Sequence, residues 1–310
     1  MMIPTLLGVS IIVFLFIRLI PGDIVQILSG TQGEMTPERH AVLRHNLGLD
    51  RPLMVQYADW LSGVVRGDLG NSLKTHRPIR ADLLSRLPVT VELTIGSAII
   101  GLAIGIPAGI IAALKRGTRT EFVAQGAGLI GLSVPDFWLG TLFLLVASRY
   151  FGWYPGARYV SIFDNPAENL AIFILPCLAV GIGLSASLMR ITRSSLLDVM
   201  GSGYIVTARA KGLRPGAVLF GHALKNALVP IVTIIGLQLG YLLGGVVIVE
   251  TVFNLPGVGR FVIDAISARD YPIVQASVLM ITFIVLMVSL LVDLLYAYID
   301  PRIKYGQGGE

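Results

Sequence analysis

Charged residues are scarce in this chain: Asp, Glu, Lys and Arg make up 14 % of its 310 residues, whereas 54 % are hydrophobic. Soluble domains are about a quarter charged, so the sequence lacks the polar surface that keeps a protein dissolved. Long apolar runs are present instead, and each is long enough to cross a hydrocarbon core of roughly 30 Å. They cover residues 3–20, 89–114, 121–151, 170–189, 227–249 and 273–299. The sequence therefore predicts an all-α membrane protein with six transmembrane helices.

Cysteine, histidine and catalytic motifs are equally sparse. The single cysteine, Cys177, falls inside a predicted span, which excludes a disulfide framework within the chain and a thiolate metal cluster. The four histidines all lie outside the predicted spans, and His40 and His45 have no third ligand nearby. No Gly-Lys pair, HExxH or GxSxG occurs, so a phosphate-binding loop and the common hydrolase motifs are absent. We expect no enzymatic activity and no cofactor or metal bound by this chain.

The distribution of basic residues predicts the orientation in the membrane. Loops 115–120, 190–226 and 300–310 contain 11 Lys and Arg residues, whereas loops 152–169 and 250–272 contain three. Cytoplasmic loops carry the excess of basic residues, so both termini are predicted to be cytoplasmic. The net charge of +5 is explained by this asymmetry, and no nucleic-acid partner is expected.

The predicted organisation has four parts. Transmembrane helix 1 covers 1–20 and is interpreted as an anchor, because no small-residue cleavage site follows it. An extracytoplasmic segment covers 21–88, a core of five helices covers 89–299 and includes the cytoplasmic loop 190–226, and a cytoplasmic tail covers 300–310.

Few ionisable residues fall inside the predicted spans. Arg18, Glu92 and Glu250 lie near outer ends and Asp293 near an inner end, where such side chains usually snorkel or cap. Asp136 is different, because it follows Pro135 within an apolar run of some 30 residues, about 45 Å of helix. This run is too long for one straight crossing, so we expect a kink or the entry into the bilayer at Pro135. Asp136 is either an interface residue or a pathway residue.

Polar and small residues accompany these charges within the spans. Gln238 and Tyr241, in the glycine-rich fifth span, are further pathway candidates. Glycines recur in GLAIGIPAG (101–109), GAGLIG (126–131) and GLQLGYLLGG (236–245). Small residues let helix backbones approach closely in lipid. They indicate tight packing, a bundle that moves between two states, or both.

The stretch YIVTARAKGLRPGAVLFGHALKNALVP, residues 204–230, is too long for a simple connector. Its pattern predicts a short helix that ends at Gly212, in a left-handed conformation. Pro215 is a favoured first residue for a second helix, on which Phe220, Leu224 and Leu228 fall on one face. A basic loop that obeys the charge rule would explain the Lys and Arg residues. A docking element for a soluble partner also explains the length and the turn.

This stretch resembles the conserved cytoplasmic loop of permease subunits in binding-protein-dependent ABC importers. The similarity is closest to the dipeptide, oligopeptide and nickel branch and covers roughly residues 3–305 in order. It includes LIPGD (19–23), LGLDRPLMVQYADWL (47–61), RGDLGNS (66–72), SVPDFWLG (133–140), and VFNLPGVGRFVIDAI with RDYPIVQA (252–276). The sequence departs from the family pattern at Ile24 where Pro is common, at Val206 where Arg is common, and at Lys225 where other branches have Pro.

The resemblance implies a type I ABC importer permease fold in a bacterial or archaeal cytoplasmic membrane, surrounded by lipid. Its partners would be a second homologous permease, two cytoplasmic ATPase subunits that bind ATP and Mg, and an extracytoplasmic substrate-binding protein. The loop that couples to the ATPase would contain Tyr204, Thr207, Ala208, Arg209, Ala210, Lys211 and Gly212. The outer gate would contain Asn254, Pro256, Gly257, Gly259 and Arg260.

The cargo and the class of transporter leave alternatives open. Short peptides are favoured, because metal ligation would call for His, Cys or carboxylate groups and the predicted spans contain no His. Nickel and glutathione are the alternatives in the same branch. A stand-alone secondary transporter should have midplane ionisable residues or broken helices, for which only Asp136 and the fifth span are candidates. An intramembrane enzyme has less support.

Overall fold

The computed structural model describes residues 2–19, 37–46, 50–153 and 159–299. These residues are mostly helical, and among them the only β-type pairing is an isolated bridge between Asn71 and Pro78. The predicted all-α architecture is confirmed.

Eleven α-helices and one π-helix follow one another along the described chain. The α-helices are α1 (Met2–Leu19), α2 (Pro37–Asn46), α3 (Leu53–Val65), α4 (Ile79–Leu114), α5 (Arg119–Ser133), α6 (Asp136–Phe151), α7 (Pro166–Met200), α8 (Gly203–Ala210), α9 (Leu224–Val252), α10 (Val258–Ala268) and α11 (Tyr271–Ile299). The π-helix, Ala217–Ala223, precedes α9.

The chain divides into two compact units, of which the first comprises Met1–Pro88 and Gly257–Leu286. Its core joins the start of α4 to α10 and the start of α11 through seven buried side chains: Ile79, Leu83, Val258, Phe261, Ala265, Ile273 and Ala276. Helix α1 contacts α3 through the rings of Phe14, Tyr57 and Trp60. The Arg18 guanidinium lies 3.4 Å from the centroid of the Phe14 ring and donates to Gln56 Oε1. This end-placed charge is therefore held by neighbouring side chains.

The second unit comprises Val89–Pro256 and Met287–Glu310 and is built around α7. Helix α7 begins at Pro166 behind the N-cap Asn165, whose side chain accepts a hydrogen bond from the Glu168 backbone N–H. A proline is favoured there because it has no N–H to leave unpaired. Helices α5, α6 and α9 pack on α7, which makes α7 the most buried helix of this unit.

Glycines set the distance between α4 and α7. A Cβ atom at Gly105 would lie 2.6 Å from the Ser185 carbonyl oxygen, and one at Gly109 would lie 2.7 Å from the Met189 carbonyl oxygen. Gly101, one turn earlier, lies against the Leu184 side chain, with a Cβ position 2.5 Å from Leu184 Cδ2. The backbones are thus too close for a side chain, as expected for helices that pack through small residues in lipid. The tight-packing interpretation of GLAIGIPAG is confirmed.

The predicted kink at Pro135 is also confirmed. Helices α5 and α6 are bent by 98° at the break between Ser133 and Asp136. By length and composition, three described helices are able to cross a membrane: Ile79–Leu114, Pro166–Met200 and Tyr271–Val292. Counting the bent pair α5–α6 and a second bent pair at Pro230 as one span each raises the number to five, and Met2–Phe16 is a shorter apolar helix. The total of six spans stays a prediction.

Two carboxylates at span ends accept hydrogen bonds from neighbouring side chains. Glu92 accepts hydrogen bonds from the Tyr159 hydroxyl, at 2.7 Å, and from Asn169 Nδ2, at 2.6 Å. Burial, together with the bond to Glu92, raises the pKa of Tyr159 to about 12, so this hydroxyl stays a donor at physiological pH. Glu250 is fully buried and accepts from Thr90 Oγ1 at 2.6 Å. Snorkelling, the predicted behaviour of an end-placed charge, is therefore wrong for Glu250. The Asp293 side chain lies outside the described residues.

Candidate functional site

The predicted docking loop folds as the short helix α8 followed by a left-handed turn. Gly212 has a φ of +76°, as the sequence predicted. The Gly212 N–H donates to the Arg209 carbonyl oxygen at 2.9 Å, and the Leu213 N–H donates to the Ala208 carbonyl oxygen at 3.4 Å. These two bonds form a Schellman motif, which satisfies the last carbonyls of a helix through a left-handed residue. The end of α8 is therefore set by the left-handed backbone conformation that Gly212 adopts.

One face of α8 is anchored in a small hydrophobic core. Ile205 is fully buried and Ala208 is nearly so, and both belong to a cluster contributed by α4, α7, the π-helix and α9. The other buried members of the cluster are Ala113, Leu196, Val218, Leu219, Ala223 and Ala227. Because side chains on both flanking helices contact it, a displacement of α8 would be transmitted to α7 and α9.

The opposite face of the loop is exposed and combines apolar with basic side chains. The four large exposed apolar residues are Tyr204, Val206, Leu213 and Phe220. Arg209, Lys211 and Arg214 are exposed beside them. The Tyr204 hydroxyl accepts from Asn226 Nδ2 at 2.9 Å, and Thr207 Oγ1 donates to the Gly203 carbonyl oxygen at 3.1 Å. Ala210 is exposed in the last turn of α8. This face has the composition of a protein-contact surface, with an apolar centre and charged neighbours.

The second helix of the loop differs from the sequence-based expectation. It begins at Pro215, as predicted, but its first part is the π-helix Ala217–Ala223. A π-helix adds one residue to each hydrogen-bonded turn, so the apolar face no longer repeats every fourth residue. Val218, Leu219 and Ala223 are buried, whereas Phe220 is 67 % exposed. Phe220, Leu224 and Leu228, which the sequence placed on one face, therefore differ in their surroundings: Phe220 is exposed, whereas Leu224 and Leu228 are half-buried.

A buried ion pair holds the neighbouring loop, and the sequence did not single it out. Glu121 Oε2 accepts from the Gly117 N–H at 2.5 Å, and its Oε1 accepts from Arg193 Nε at 2.8 Å and also from Arg193 Nη2. Gly117 is left-handed, with a φ of +78°. The pair ties the α4–α5 turn to α7, one turn before Leu196 of the α8 cluster. Their separation of 72 residues left no local pattern from which to predict it.

The two described pathway candidates face the helices of the second unit. The Asp136 carboxylate is half-buried at the start of α6. Its Oδ1 lies 2.9 Å from the position of a Cβ at Gly183 on α7, and its Oδ2 lies 3.4 Å from the position of a Cβ at Gly245 on α9. Gln238 on α9 donates from Nε2 to Ser187 Oγ on α7 at 2.8 Å. The Tyr241 side chain lies outside the described residues.

The predicted outer gate is a second Schellman turn. Asn254 is left-handed, with a φ of +57°, and its N–H donates to the Thr251 carbonyl oxygen at 3.2 Å. The Leu255 N–H donates to the Glu250 carbonyl oxygen at 2.8 Å. Pro256 follows, a common position for proline after a helix ends, and Gly257 is the N-cap of α10.

The first turn of α10 contains the remaining gate candidates. Gly259 is buried in the first unit, and Arg260 Nε lies 3.7 Å from Asp264 Oδ2. The predicted turn that leads into a helix is present, and its role as a gate stays a prediction. Among the described residues, no group of three or more His, Cys, Asp or Glu residues could hold a metal ion.

Comparison with known proteins shows two adjoining family matches. The model described as "Binding-protein-dependent transport system inner membrane component" matches residues 105–305. The model described as "Binding-prot-dependent transport system membrane comp, N-term" matches residues 2–94. Together they cover nearly the whole chain.

Several curated proteins are similar over their full length. The chain is 42 % identical to the dipeptide transport system permease protein DppB of Escherichia coli (strain K12), across 98 % of this chain and 96 % of that protein. It is 39 % identical to the di/tripeptide transport system permease protein DppB of Pseudomonas aeruginosa, with the same coverage. It is 40 % identical to the glutathione transport system permease protein GsiC of Salmonella choleraesuis, again across 98 % and 96 %.

Among solved structures, an inward-facing MetNI methionine ABC transporter matches with a TM-score of 0.60 and 18 % sequence identity. The match covers 72 % of this chain and 99 % of that chain. At this identity the likeness concerns the fold alone.

Proposed function

This chain belongs to the family of binding-protein-dependent transport system inner membrane components, and from that membership we propose that it is the permease subunit of an ATP-driven importer of short peptides. Its full-length similarity to two peptide permeases supports the cargo. An alternative in the same branch is glutathione, because one relative of equal coverage is a glutathione permease. A stand-alone secondary transporter is set aside by the family.

The single observation that supports the proposal best is the construction of the α8 loop. A helix of two turns is anchored on one face by Ile205 and Ala208 and presents apolar and basic side chains on the other. A soluble partner that binds the exposed face of α8 would move α7 and α9, because the buried face of α8 packs in the cluster that these two helices share. We therefore assign Tyr204, Thr207, Ala208, Arg209, Ala210, Lys211 and Gly212 to the coupling of ATP hydrolysis with transport.

The assembly that follows from this role contains four kinds of subunit. A second homologous permease completes the pathway, and two cytoplasmic ATPase subunits bind ATP and Mg and carry out hydrolysis. An extracytoplasmic binding protein delivers the cargo. The chain itself holds neither nucleotide nor metal, and it resides in the cytoplasmic membrane with both termini inside.

Two regions are proposed to contact the cargo route. The turn at Asn254, Pro256, Gly257, Gly259 and Arg260 forms the outer gate, because it joins two helices through residues whose backbone angles are set by the turn. Asp136, Gln238 and Tyr241 lie along the pathway. Ionisable groups within membrane proteins usually face the bundle interior or a cavity, and the Asp136 carboxylate lies against the glycines of α7 and α9.

The cargo assignment is tested by uptake in a strain from which the gene is deleted. We expect uptake of labelled di- to pentapeptides to fall to the background of cells without the importer, whereas uptake of labelled nickel and glutathione is unchanged. For nickel, the physical reason is that the pathway candidates offer hydrogen-bonding groups without a set of metal ligands. For glutathione, the expectation rests on the similarity of the chain to two peptide permeases. The measurement is initial uptake rate for each labelled compound in parallel.

The matched control is the deletion strain complemented with the wild-type gene, which should regain peptide uptake. Intact peptide uptake in the deletion strain, together with lost nickel or glutathione uptake, would reverse the cargo assignment.

The orientation is tested by cysteine labelling in a Cys177→Ala background. Ala167 and Ala210 are both exposed alanines on helices, on opposite sides of the membrane in the predicted topology. We expect Ala167→Cys to react with a membrane-impermeant maleimide in intact cells, and Ala210→Cys to react only after the cells are permeabilised. The excess of basic residues in the loop around Ala210 is the reason. The measurement is the mass shift of the labelled chain.

The Cys177→Ala chain without a new cysteine should remain unlabelled under both conditions. Labelling of Ala210→Cys alone in intact cells would place the α8 loop outside and exclude its contact with an ATPase.

A further inference from the structure

The break between α5 and α6 contains a carboxylate that has no partner in the described parts of the chain. The two helices are bent by 98° between Ser133 and Asp136. Asp136 belongs to the predicted span 121–151, and its oxygens lie against Gly183 of α7 and Gly245 of α9. No hydrogen bond or ion pair to this carboxylate is formed by the described residues. Because ionisable groups inside a membrane protein are usually paired, we expect the partner of Asp136 to come from outside this chain.

A backbone carbonyl beside Asp136 also lacks its usual donor. In an α-helix the Gly131 carbonyl oxygen accepts from the N–H of the fourth residue after it. That residue is Pro135, which has no N–H. The Gly131 oxygen lies 4.0 Å, and Asp136 Oδ1 lies 2.9 Å, from the position of a Cβ at Gly183. Two hydrogen-bond acceptors therefore converge on one point at the break.

The helix ends at the break leave its charge negative. A helix carries about +0.5 of a charge at its N-terminus and about −0.5 at its C-terminus. The start of α6 and the end of α5 therefore offset each other, and the charge of the Asp136 carboxylate remains. Inside a membrane protein the low dielectric constant strengthens the interaction of this carboxylate with a second charge. The break thus favours a cationic group and disfavours an anionic one.

The carboxylate is accessible from the surface of this chain. Asp136 is half-buried, and its sequence neighbours on both sides are exposed: Leu132, Ser133, Pro135 and Phe137. An ammonium group carries three N–H donors. Such a group is able to donate to the Asp136 carboxylate and to the Gly131 carbonyl oxygen together, whereas a carboxylate of a ligand is repelled by Asp136.

We propose that Asp136 and the Gly131 carbonyl form a cation site that binds an ammonium group of the peptide cargo as it crosses the membrane. This inference rests on the proposed peptide-import function. Asp136 is then a specificity-determining residue that favours cationic over anionic peptides. Gly183 is a positioning residue, because a Cβ at this position would displace the carboxylate. The interaction has to be modest, since a cargo in transit must leave each site that it enters.

The test compares Asp136→Asn with wild type in proteoliposomes that contain the complete importer and its binding protein. The probes are labelled alanyl-lysine and alanyl-glutamate, and the measurement is the ratio of their initial import rates. The same binding protein serves both chains, so its own preference cancels when the two ratios are compared. Asparagine keeps the shape of the side chain and removes its charge. We expect the lysine-to-glutamate import ratio to fall about tenfold.

Asp164→Asn is the matched control for charge. Asp164 is an exposed carboxylate in the loop before α7, so the variant changes the net charge of the chain by the same amount. Its import ratio should equal that of wild type. A change of the same size in both variants would show a general effect of surface charge and overturn the site.

Gly183→Ala tests the position of the carboxylate while its charge is kept. The added Cβ would lie 2.9 Å from Asp136 Oδ1, so the carboxylate has to move away from the Gly131 carbonyl. We expect the import ratio to fall in this variant as well. Gly244→Ala is the comparison, because no atom lies within 4 Å of a Cβ placed there, and it should retain the wild-type ratio.

The remaining outcomes separate this site from the proposed function. An unchanged ratio in Asp136→Asn, or an equal loss of import for both dipeptides, would refute the cation site. Failure of Asp136→Asn to elute as an assembled complex in gel filtration would identify a basic residue of the second permease as the partner of the carboxylate, which also refutes the site. If the wild-type importer transported neither dipeptide, the proposed peptide import itself would be wrong.

Discussion

We expect the Gly212→Val substitution to uncouple ATP hydrolysis from transport while the complex still assembles. Gly212 has a φ of +76°, where a side chain with a Cβ costs roughly 1–2 kcal/mol. No neighbouring atom lies within 4 Å of a Cβ at this position. The substitution therefore strains the backbone without a steric clash with neighbouring residues. The turn would relieve this strain by changing its backbone φ and ψ angles, and the orientation of α8 would change as a result. The measurement is stimulation of ATPase activity by loaded binding protein in proteoliposomes, which should be nearly abolished.

Gly212→Asn is the matched control for this experiment. Asparagine tolerates the left-handed region far better than a β-branched residue does, so this variant should retain most of the stimulation. Gly216→Val adds the same side chain in the same loop, at a helical position with no atom within 4 Å, and should also remain coupled. Normal peptide uptake by Gly212→Val would contradict the proposed role of the turn.

The largest expected loss of folding follows from Gly105→Val at the contact between α4 and α7. A Cβ there would lie 2.6 Å from the Ser185 carbonyl oxygen and 2.8 Å from the Leu188 Cβ, distances at which a helix has to move. Overpacking of a well-packed core typically costs 1–3 kcal/mol, and sometimes more. We expect the variant chain to fail to accumulate as an assembled complex. The measurement is the amount of complex that elutes as one peak in detergent gel filtration.

Gly126→Val provides the comparison. Gly126 is an exposed helical glycine on α5, and no atom lies within 4 Å of a Cβ placed on it. The same side chain should be accommodated there without loss of assembly. If Gly105→Val assembled as well as Gly126→Val, the close approach of the two backbones would not be a requirement of the fold.

Several features of the molecule were readable from local sequence. The lack of charge and the long apolar runs predicted a helical membrane protein, because hydropathy and helix length depend only on consecutive residues. The left-handed turn at Gly212 and the start of a helix at Pro215 followed from backbone preferences of single residues. The bend at Pro135 followed from a run too long for one crossing. Each of these results rests on one residue or on one continuous stretch of the chain.

Other features could not be predicted from any local sequence pattern. The second loop helix begins with a π-helix, in which Val218 and Leu219 are buried and Phe220 is exposed, and the four-residue spacing of the sequence does not predict this arrangement. Glu250 is fully buried although its place at a span end predicted contact with water, since Thr90, 160 positions away, donates to it. The pair between Glu121 and Arg193 likewise joins separate helices.

Composition and turn geometry in the sequence alone thus established the class of protein, its helical architecture and the left-handed turn that ends α8. Motifs in order along the chain identified the family. The tertiary structure was required to show which face of α8 is anchored and which glycines lie against a neighbouring backbone. The physical reason is that helix formation depends on neighbours in the chain, whereas burial and hydrogen-bond partners depend on which distant helices pack together.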